Sequence, residues 1–181
     1  MTAAAVPAPG VERADEPVLL RPARPGEGAA LFDTTVQSVR ALAAGRYSPE
    51  QIAGWMGTRS PAYYEDIIAR GRTVVAEAGG EVVGFVDAEP GEVTRLFLKP
   101  GAAGQGLGAR LLAQGIAAAR QGHDGPITVE ATLNAEGFYA RHGFVRVRTG
   151  FFSHGLGGDP IEVVVMERPA EAGEQGQRPR P

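Results

Sequence analysis

The sequence predicts a mixed α/β domain, one sheet with helices on its faces. Two observations predict it. The hydrophobic period changes from helical to alternating near residue 72. The elements then fall in the order β-αα(α)-βββ-α-β-α-ββ, with one βαβ crossover that contains the glycine-rich stretch GAAGQGLGARLL at 101–112. Composition agrees, since 181 residues are enough for one domain with a full core, and 43% hydrophobic and 22% charged residues are ordinary for a globular chain.

Val18 to Arg21 is a short apolar strand. After Pro25-Gly26, residues Ala30, Leu31, Thr34, Thr35, Val39 and Leu42 recur at helical spacing. Ser48-Pro49-Glu50-Gln51 opens a second helix, with serine as cap, proline in the first turn and Gln51 completing a capping box; Ile52 and Trp55 follow. Ser60-Pro61 opens a third helix through Tyr63, Tyr64 and Ile67, stopped near Gly71. Strands 73–78 and 81–88 flank Gly79-Gly80, a hairpin signal. Strand 92–99 ends at Pro100. Past the glycines, a helix carries Gly108, Leu111, Leu112, Gly115, Ile116 and Ala119 on one face. Gly125-Pro126 precedes strand 127–132, a short helix at 135–141 leads to Gly143, and strands 144–151 and 161–166 close the domain, expected over 18–168. Segments 1–17 and 169–181, rich in Ala, Pro and Gly or in polar residues, are expected to be disordered tails.

Several function classes are disfavoured. A net charge of −3 offers no general attraction to nucleic acid or anionic membranes. No apolar run approaches the roughly 20 residues of a membrane span. The N-terminus lacks the basic start and apolar core of an export signal, so the default expectation is cytoplasmic. With no cysteine there are no disulfides, thiolate metal sites or cysteine nucleophile. His123 and His154 lie in glycine-containing loops without metal-ligand spacing, His142 at a helix end, and no metal site is expected.

Four readings compete for the glycine stretch. A P-loop needs Lys-Ser/Thr after its last glycine, whereas Gly108 precedes Ala109-Arg110. A dinucleotide fingerprint can be drawn as Gly104-x-Gly106-x-x-Ala109 with Glu130 downstream, but no second βαβ unit follows. A plain small-residue loop is the third. The fourth is a diphosphate held against successive amides at a helix N-terminus, where glycines let the backbone come close.

The fourth has a family behind it. Leu96-Phe97-Leu98-Lys99-Pro100 followed by Ala103-Gly104-Gln105-Gly106-Leu107-Gly108 resembles the strand end and acyl-CoA loop of the Gcn5-related N-acetyltransferases (GNAT), with Gly106 and Gly108 in the motif positions and Ala103 where the family has Arg or Gln. A second stretch, 132–144, resembles the later family motif through Ala135, Phe138, Tyr139, Gly143 and Phe144; Thr132 stands at the motif's Asn/Ser position, with Asn134 two residues on.

The resemblance covers about 72–167. It implies the GNAT fold: a mostly antiparallel sheet of six or seven strands, helices on both faces, and a central βαβ unit that binds acyl-CoA. It implies acetyl-CoA as cofactor and transfer to a primary amine of a small molecule or peptide by direct attack in a ternary complex. No nucleic acid or membrane partner is expected, and the chain would be a monomer or homodimer. Cofactor contacts are expected from Leu96, Phe97 and Leu98, from Gly104, Gln105, Gly106, Leu107, Gly108 and Ala109, and from Thr132, Asn134 and Tyr139. The implied fourth and fifth strands splay apart, pantetheine pairs along the fourth, and the N–H near Leu98 stabilises the oxyanion. Glu92, or else Glu130, is the implied base and Tyr139 the acid for the leaving thiolate. Alternation puts Glu92, Thr94, Leu96 and Leu98 on one face unless a bulge intervenes. Trp55 and Tyr64 are expected on the acceptor wall. The alternative on this fold is an acyl-CoA sensor without catalysis.

Overall fold

The computed structural model describes residues 17–42, 47–152 and 160–170. Nearly all of the two expected tails, and His154, lie outside the described residues. The elements are β1 (Leu19–Pro22), α1 (Gly28–Leu42), α2 (Pro49–Met56), α3 (Pro61–Ile68), β2 (Val74–Ala78), β3 (Glu81–Glu89), β4 (Glu92–Leu98), α4 (Leu107–Ala119), β5 (Ile127–Thr132), α5 (Glu136–Arg141), β6 (Val145–Phe152) and β7 (Ile161–Arg168). Local chemistry sets their starts. The Ser48 hydroxyl accepts from the Gln51 N–H while Gln51 Oε1 accepts from the Ser48 N–H, and Ser60 accepts from the Tyr63 N–H. One unexpected element is a single 3-10 turn, Pro100–Ala102, between β4 and the glycines.

Seven strands form one sheet in the order β1-β2-β3-β4-β5-β7-β6. Every neighbouring pair is antiparallel except β4 and β5. Helices cover both faces. On one, Leu31, Tyr64, Ile67 and Ile68 of α1 and α3 pack on Val75, Val82 and Phe85. On the other, Leu107, Leu111, Leu112 and Ile116 of α4 pack on Ala76, Val86, Val93, Ile127, Val129 and Ala131. The helix comes close because position 115 is glycine; a Cβ there would stand 2.5 Å from Val86 Cγ2. A third cluster of Val39, Tyr47, Trp55, Ile161 and Val163 joins α1 and α2 to β7.

Two irregularities of β4 position the site. Asp87 pairs with Arg95 but Ala88 with Val93, so Thr94 is an extra residue in β4, a β-bulge. The expected common face of Glu92, Thr94, Leu96 and Leu98 is therefore broken. Leu96 and Leu98 pack with Val93 on the α4 side, whereas Thr94, Arg95 and Phe97 turn toward α1–α3, the side Glu92 shares by alternation from Val93. The second irregularity is the β4–β5 pairing. It is confined to Glu92 opposite Thr128, supported by the Thr128 N–H donating to the Gly91 carbonyl at 2.9 Å. Beyond that point the strands part, as a bulge that adds local twist to β4 favours.

Candidate active site

A cleft of ≈ 220 Å³ occupies the gap between the parted strands. Its walls include Glu92 to Leu98 of β4, Val129 to Thr132 of β5, Asn134, Tyr139, and Ser38, Val39, Trp55 and Arg59 from the helical side. Of the residues expected from sequence, Glu92, Glu130, Leu96, Phe97, Leu98, Thr132, Asn134, Tyr139 and Trp55 thus meet in one cavity. Tyr64 does not. It is fully buried in the α1–α3 core, edge-on to Phe32, Tyr63 and Phe85, so it supports the wall rather than lining it.

The β4 edge facing the gap carries backbone groups that β5 does not use. Lys99 N–H donates to the Val83 carbonyl at 2.8 Å, toward β3. Backbone groups alternate along a strand, so the N–H groups of Leu98 and Leu96 point the other way, into the opening. Pro100 has no N–H and ends the ladder.

Next to Leu98 stands the start of α4. Gly108 lies close enough that a Cβ would be 3.4 Å from Leu98 Cδ1 and from the Phe138 ring. Gly104 and Gly106 have φ of 83° and 76°, left-handed values that suit glycine, and a Cβ at either would meet nothing within 4 Å. No side chain caps the helix at Gly106. Its first-turn amides, from Leu107, Gly108 and Ala109, are therefore left to solvent or a ligand, at the positive end of the helix dipole. Gln105 is exposed beside them. Arg110 turns away from this point and donates to the Val18 carbonyl.

Two titratable groups in the cleft are perturbed. Glu92 is half-buried, and burial, with the neighbouring charges of Glu130 and Glu89, pushes its carboxyl above the usual glutamate range. Glu130 is exposed at the cleft wall. Tyr139 is buried among Phe138 and Phe144, and burial alone raises its hydroxyl well above the ordinary tyrosine value. That hydroxyl stays protonated at neutral pH. The loop 133–135 between β5 and α5 is pinned by Tyr47, whose hydroxyl accepts from the Leu133 N–H at 3.0 Å and donates to the Glu162 carbonyl at 2.8 Å.

Sequence reasoning missed the polar support on the helical side. Asp87, 1% exposed, accepts from Thr73 Oγ1 at 2.8 Å, Thr94 Oγ1 at 2.6 Å and Arg95 Nη1 at 2.9 Å; Arg95 Nη2 donates to the Tyr63 hydroxyl. The acid is thus buried with its charge matched. Arg59, in the turn between α2 and α3, also lines the cleft, its guanidinium 5.9 Å from the Tyr63 ring centre and 5.6 Å from that of Phe152. A polar residue amid an apolar strand run, Asp87 between Val86 and Ala88, was the available signal for the first. Nothing in the local pattern marked Arg59. His123 donates from Nε2 to the Pro126 carbonyl and His142 from Nδ1 to that of Phe138, both local contacts of the fold. Among the described residues no His/Asp/Glu group could hold a metal, and no helix is long and apolar enough to cross a membrane.

A mixed sheet parted between two parallel central strands, with an uncapped, glycine-flanked helix start at the mouth of the gap, offers an extended ligand a strand edge and an anion the free amides of a helix. The acetyltransferase (GNAT) domain family matches residues 43–164, and the chain belongs to that family. Its members are N-acetyltransferases that take their acyl group from acetyl-CoA. The chain is 27% identical over 131 residues, 72% of its length, to the uncharacterized N-acetyltransferase YafP of Escherichia coli, of which 83% is covered. Its structure is similar to a GCN5-related N-acetyltransferase from Rhodopseudomonas palustris (TM-score 0.73, 27% identity, 85% of this chain and 96% of that one). It shares its fold with the paiA N-acetyltransferase of Thermoplasma acidophilum, solved in complex with coenzyme A (TM-score 0.69, 21% identity, 85% and 99% covered).

Proposed function

We propose that the chain transfers an acetyl group from acetyl-CoA to a primary amine of a small molecule or peptide, both bound at once in the β4–β5 gap. The observation that carries this reading is the gap itself: one cavity with an open strand edge, a half-buried carboxylate and a buried, protonated tyrosine. The residues present fit the cofactor. The amides from Gly104 to Ala109 would hold its diphosphate, and the edge of Leu96, Phe97 and Leu98, with Thr132 and Asn134 opposite, would hold its pantetheine arm. Acetyl-CoA supplies the activated thioester.

The chain's own groups supply the rest. An alkylammonium of pKa about 10 is not nucleophilic at pH 7, so its proton must leave. Glu92 accepts that proton, directly or through water, with Glu130 as the second carboxylate within reach of the cleft. Its raised pKa brings it closer to the operating pH, which strengthens it as a base. The Leu98 N–H stabilises the developing oxyanion from a fixed position, a role worth roughly 10²–10³ in rate for one such donor. Tyr139 holds a proton for the departing sulfur. Trp55 shapes the acceptor side.

Free-thiol release with acetyl-CoA and a broad panel of amines, peptides and aminoglycosides tests the reading, with thermal unfolding run alongside. Acetyl-CoA should raise Tm, because a ligand bound by the native state stabilises it. At least one amine should release thiol, and Tyr139→Phe should lose about 10²-fold in turnover while keeping the Tm rise. Absence of any Tm rise at saturating acetyl-CoA refutes the reading. A Tm rise with no thiol release across the panel would leave a sensor of acyl-CoA in place of an enzyme.

A further inference from the structure

The acceptor side of the cleft carries charge of both signs, and the two are not matched with each other. Glu92 and Glu130 stand on the strands. Arg95 is matched, since Asp87 accepts from it at 2.9 Å and Tyr63 takes its other nitrogen. Arg59 is not. Its Nη1 is buried without a hydrogen-bond partner, and among the described residues no carboxylate pairs with it. Glu92 enters the cavity from the start of β4 and Arg59 from the turn between α2 and α3, so the acid and the guanidinium reach it from different elements.

The surroundings hold Arg59 in place without satisfying it. The rings of Tyr63 and Phe152 flank the guanidinium at 5.9 and 5.6 Å, a cation–π attraction that positions the group but takes none of its hydrogen bonds. A buried donor left unpaired is destabilising, the more so when it is charged. The turn that carries Arg59 is itself fixed, its N–H donating to the Met56 carbonyl at 2.8 Å, and Ser60 caps α3 immediately after. A fixed cation with an unmatched donor on a cavity wall is a receptor for an anion.

We propose that the acceptor bears an anionic group, a carboxylate or a phosphate, in addition to its amine, and that Arg59 binds it. The proposal rests on the acetyl-transfer reading and sharpens it. The amine would lie toward Glu92 and the anion toward Arg59. The same arrangement selects against polyamines and aminoglycosides, whose further cations would face Arg59 unpaired.

The test uses matched acceptors at saturating acetyl-CoA: amino carboxylates, amino phosphonates, and the same amines with the acid replaced by an amide or removed. Acid-bearing amines should be favoured by at least about tenfold in kcat/KM, the size expected for one charge-assisted pair. Arg59→Gln should reduce that ratio to near one, and Arg59→Lys should retain part of it. Whether carboxylates or phosphonates lead identifies the anion. Equal kcat/KM for acidic and neutral amines, or a preference that survives Arg59→Gln, overturns the proposal. A calorimetric titration with glutarate and with inorganic phosphate, on protein saturated with coenzyme A, decides the point without turnover. Binding by the native chain that is lost in Arg59→Gln supports it, and absent or unchanged binding overturns it. If no amine is acetylated and acetyl-CoA gives no Tm rise, the transfer reading has failed, and the same titration on cofactor-free protein still reports on Arg59.

Discussion

Glu92 carries a stability penalty that its proposed role as base requires. Its carboxyl titrates above 4.5 in the fold because burial and two neighbouring acids disfavour the charge. The sign of the linkage follows. The native state binds this proton more readily than the unfolded chain, so the contribution of Glu92 to stability falls as pH rises from 4.5 through the raised native pKa. Glu92→Gln removes the penalty. At pH 7 the variant should melt higher than the native chain, and the difference should shrink to nothing below about pH 4, where both side chains are neutral. Turnover should move the opposite way, falling by about 10²–10⁴-fold. The native enzyme's kcat/KM should drop on an acidic limb lying above 4.5. A variant that melts higher but turns over normally would make Glu130, or water alone, the proton acceptor.

Glycines at 106 and 115 show what an element demands of one residue type for two different reasons. At Gly106 the demand is conformational, with φ of 76° at the start of α4 and open space where a Cβ would go. At Gly115 it is packing, with Val86 Cγ2 2.5 Å from a Cβ and Val93 3.4 Å away. Gly106→Ala should therefore cost about 1–2 kcal/mol of stability from the left-handed backbone, and should lower acetyl-CoA affinity beyond that, since the methyl occupies the approach to the amides. Gly115→Ala should cost about 1–3 kcal/mol through overpacking, with the loss read in denaturant unfolding and not in cofactor affinity. Equal effects of the two on affinity would remove the special role of the loop. The order and type of the elements were legible in the sequence because periodicity and punctuation agree there: Ser48 and Ser60 before proline, Gly79-Gly80 in the hairpin, Pro100 after β4. The bulge at Thr94 was not, because one extra strand-compatible residue leaves no mark on composition, and it reversed the faces of Leu96 and Leu98. Nor did spacing distinguish Trp55, which lines the cleft, from Tyr64, which is sealed in the core. Both are aromatic residues on short amphipathic helices, and only the packing of α1 and α3 against Phe85 decides which one the sheet covers.

Across the whole molecule the sheet is continuous, yet at its centre it is joined by little. The pairing of β4 with β5 reduces to Glu92 opposite Thr128, and the halves are otherwise held by helices packing across both, α4 on one face and α1 on the other. A ligand lying in the gap would pair with β4 where β5 does not, so binding should restore a ladder as well as fill a cavity. Amide hydrogen exchange resolved by residue separates this from general stabilisation. In the free protein, Leu96 and Leu98 should exchange faster than Lys99, whose N–H is bonded to Val83 at 2.8 Å. Any ligand that raises global stability slows amides that exchange through global unfolding, so the informative quantity is the ratio of Leu96 and Leu98 to Lys99. Saturating coenzyme A should slow the Leu96 amide relative to Lys99 by about tenfold or more, the order of one added hydrogen bond in a closed site. Acetyl-CoA should extend that protection to Leu98, because only the thioester brings a carbonyl to that N–H. Equal protection of Leu98 by the free and the acetylated cofactor would move the oxyanion donor elsewhere on the strand. Protection of Leu96 and Leu98 already complete in the free protein would mean that the gap is closed before any ligand arrives, and would leave the cofactor no strand to join.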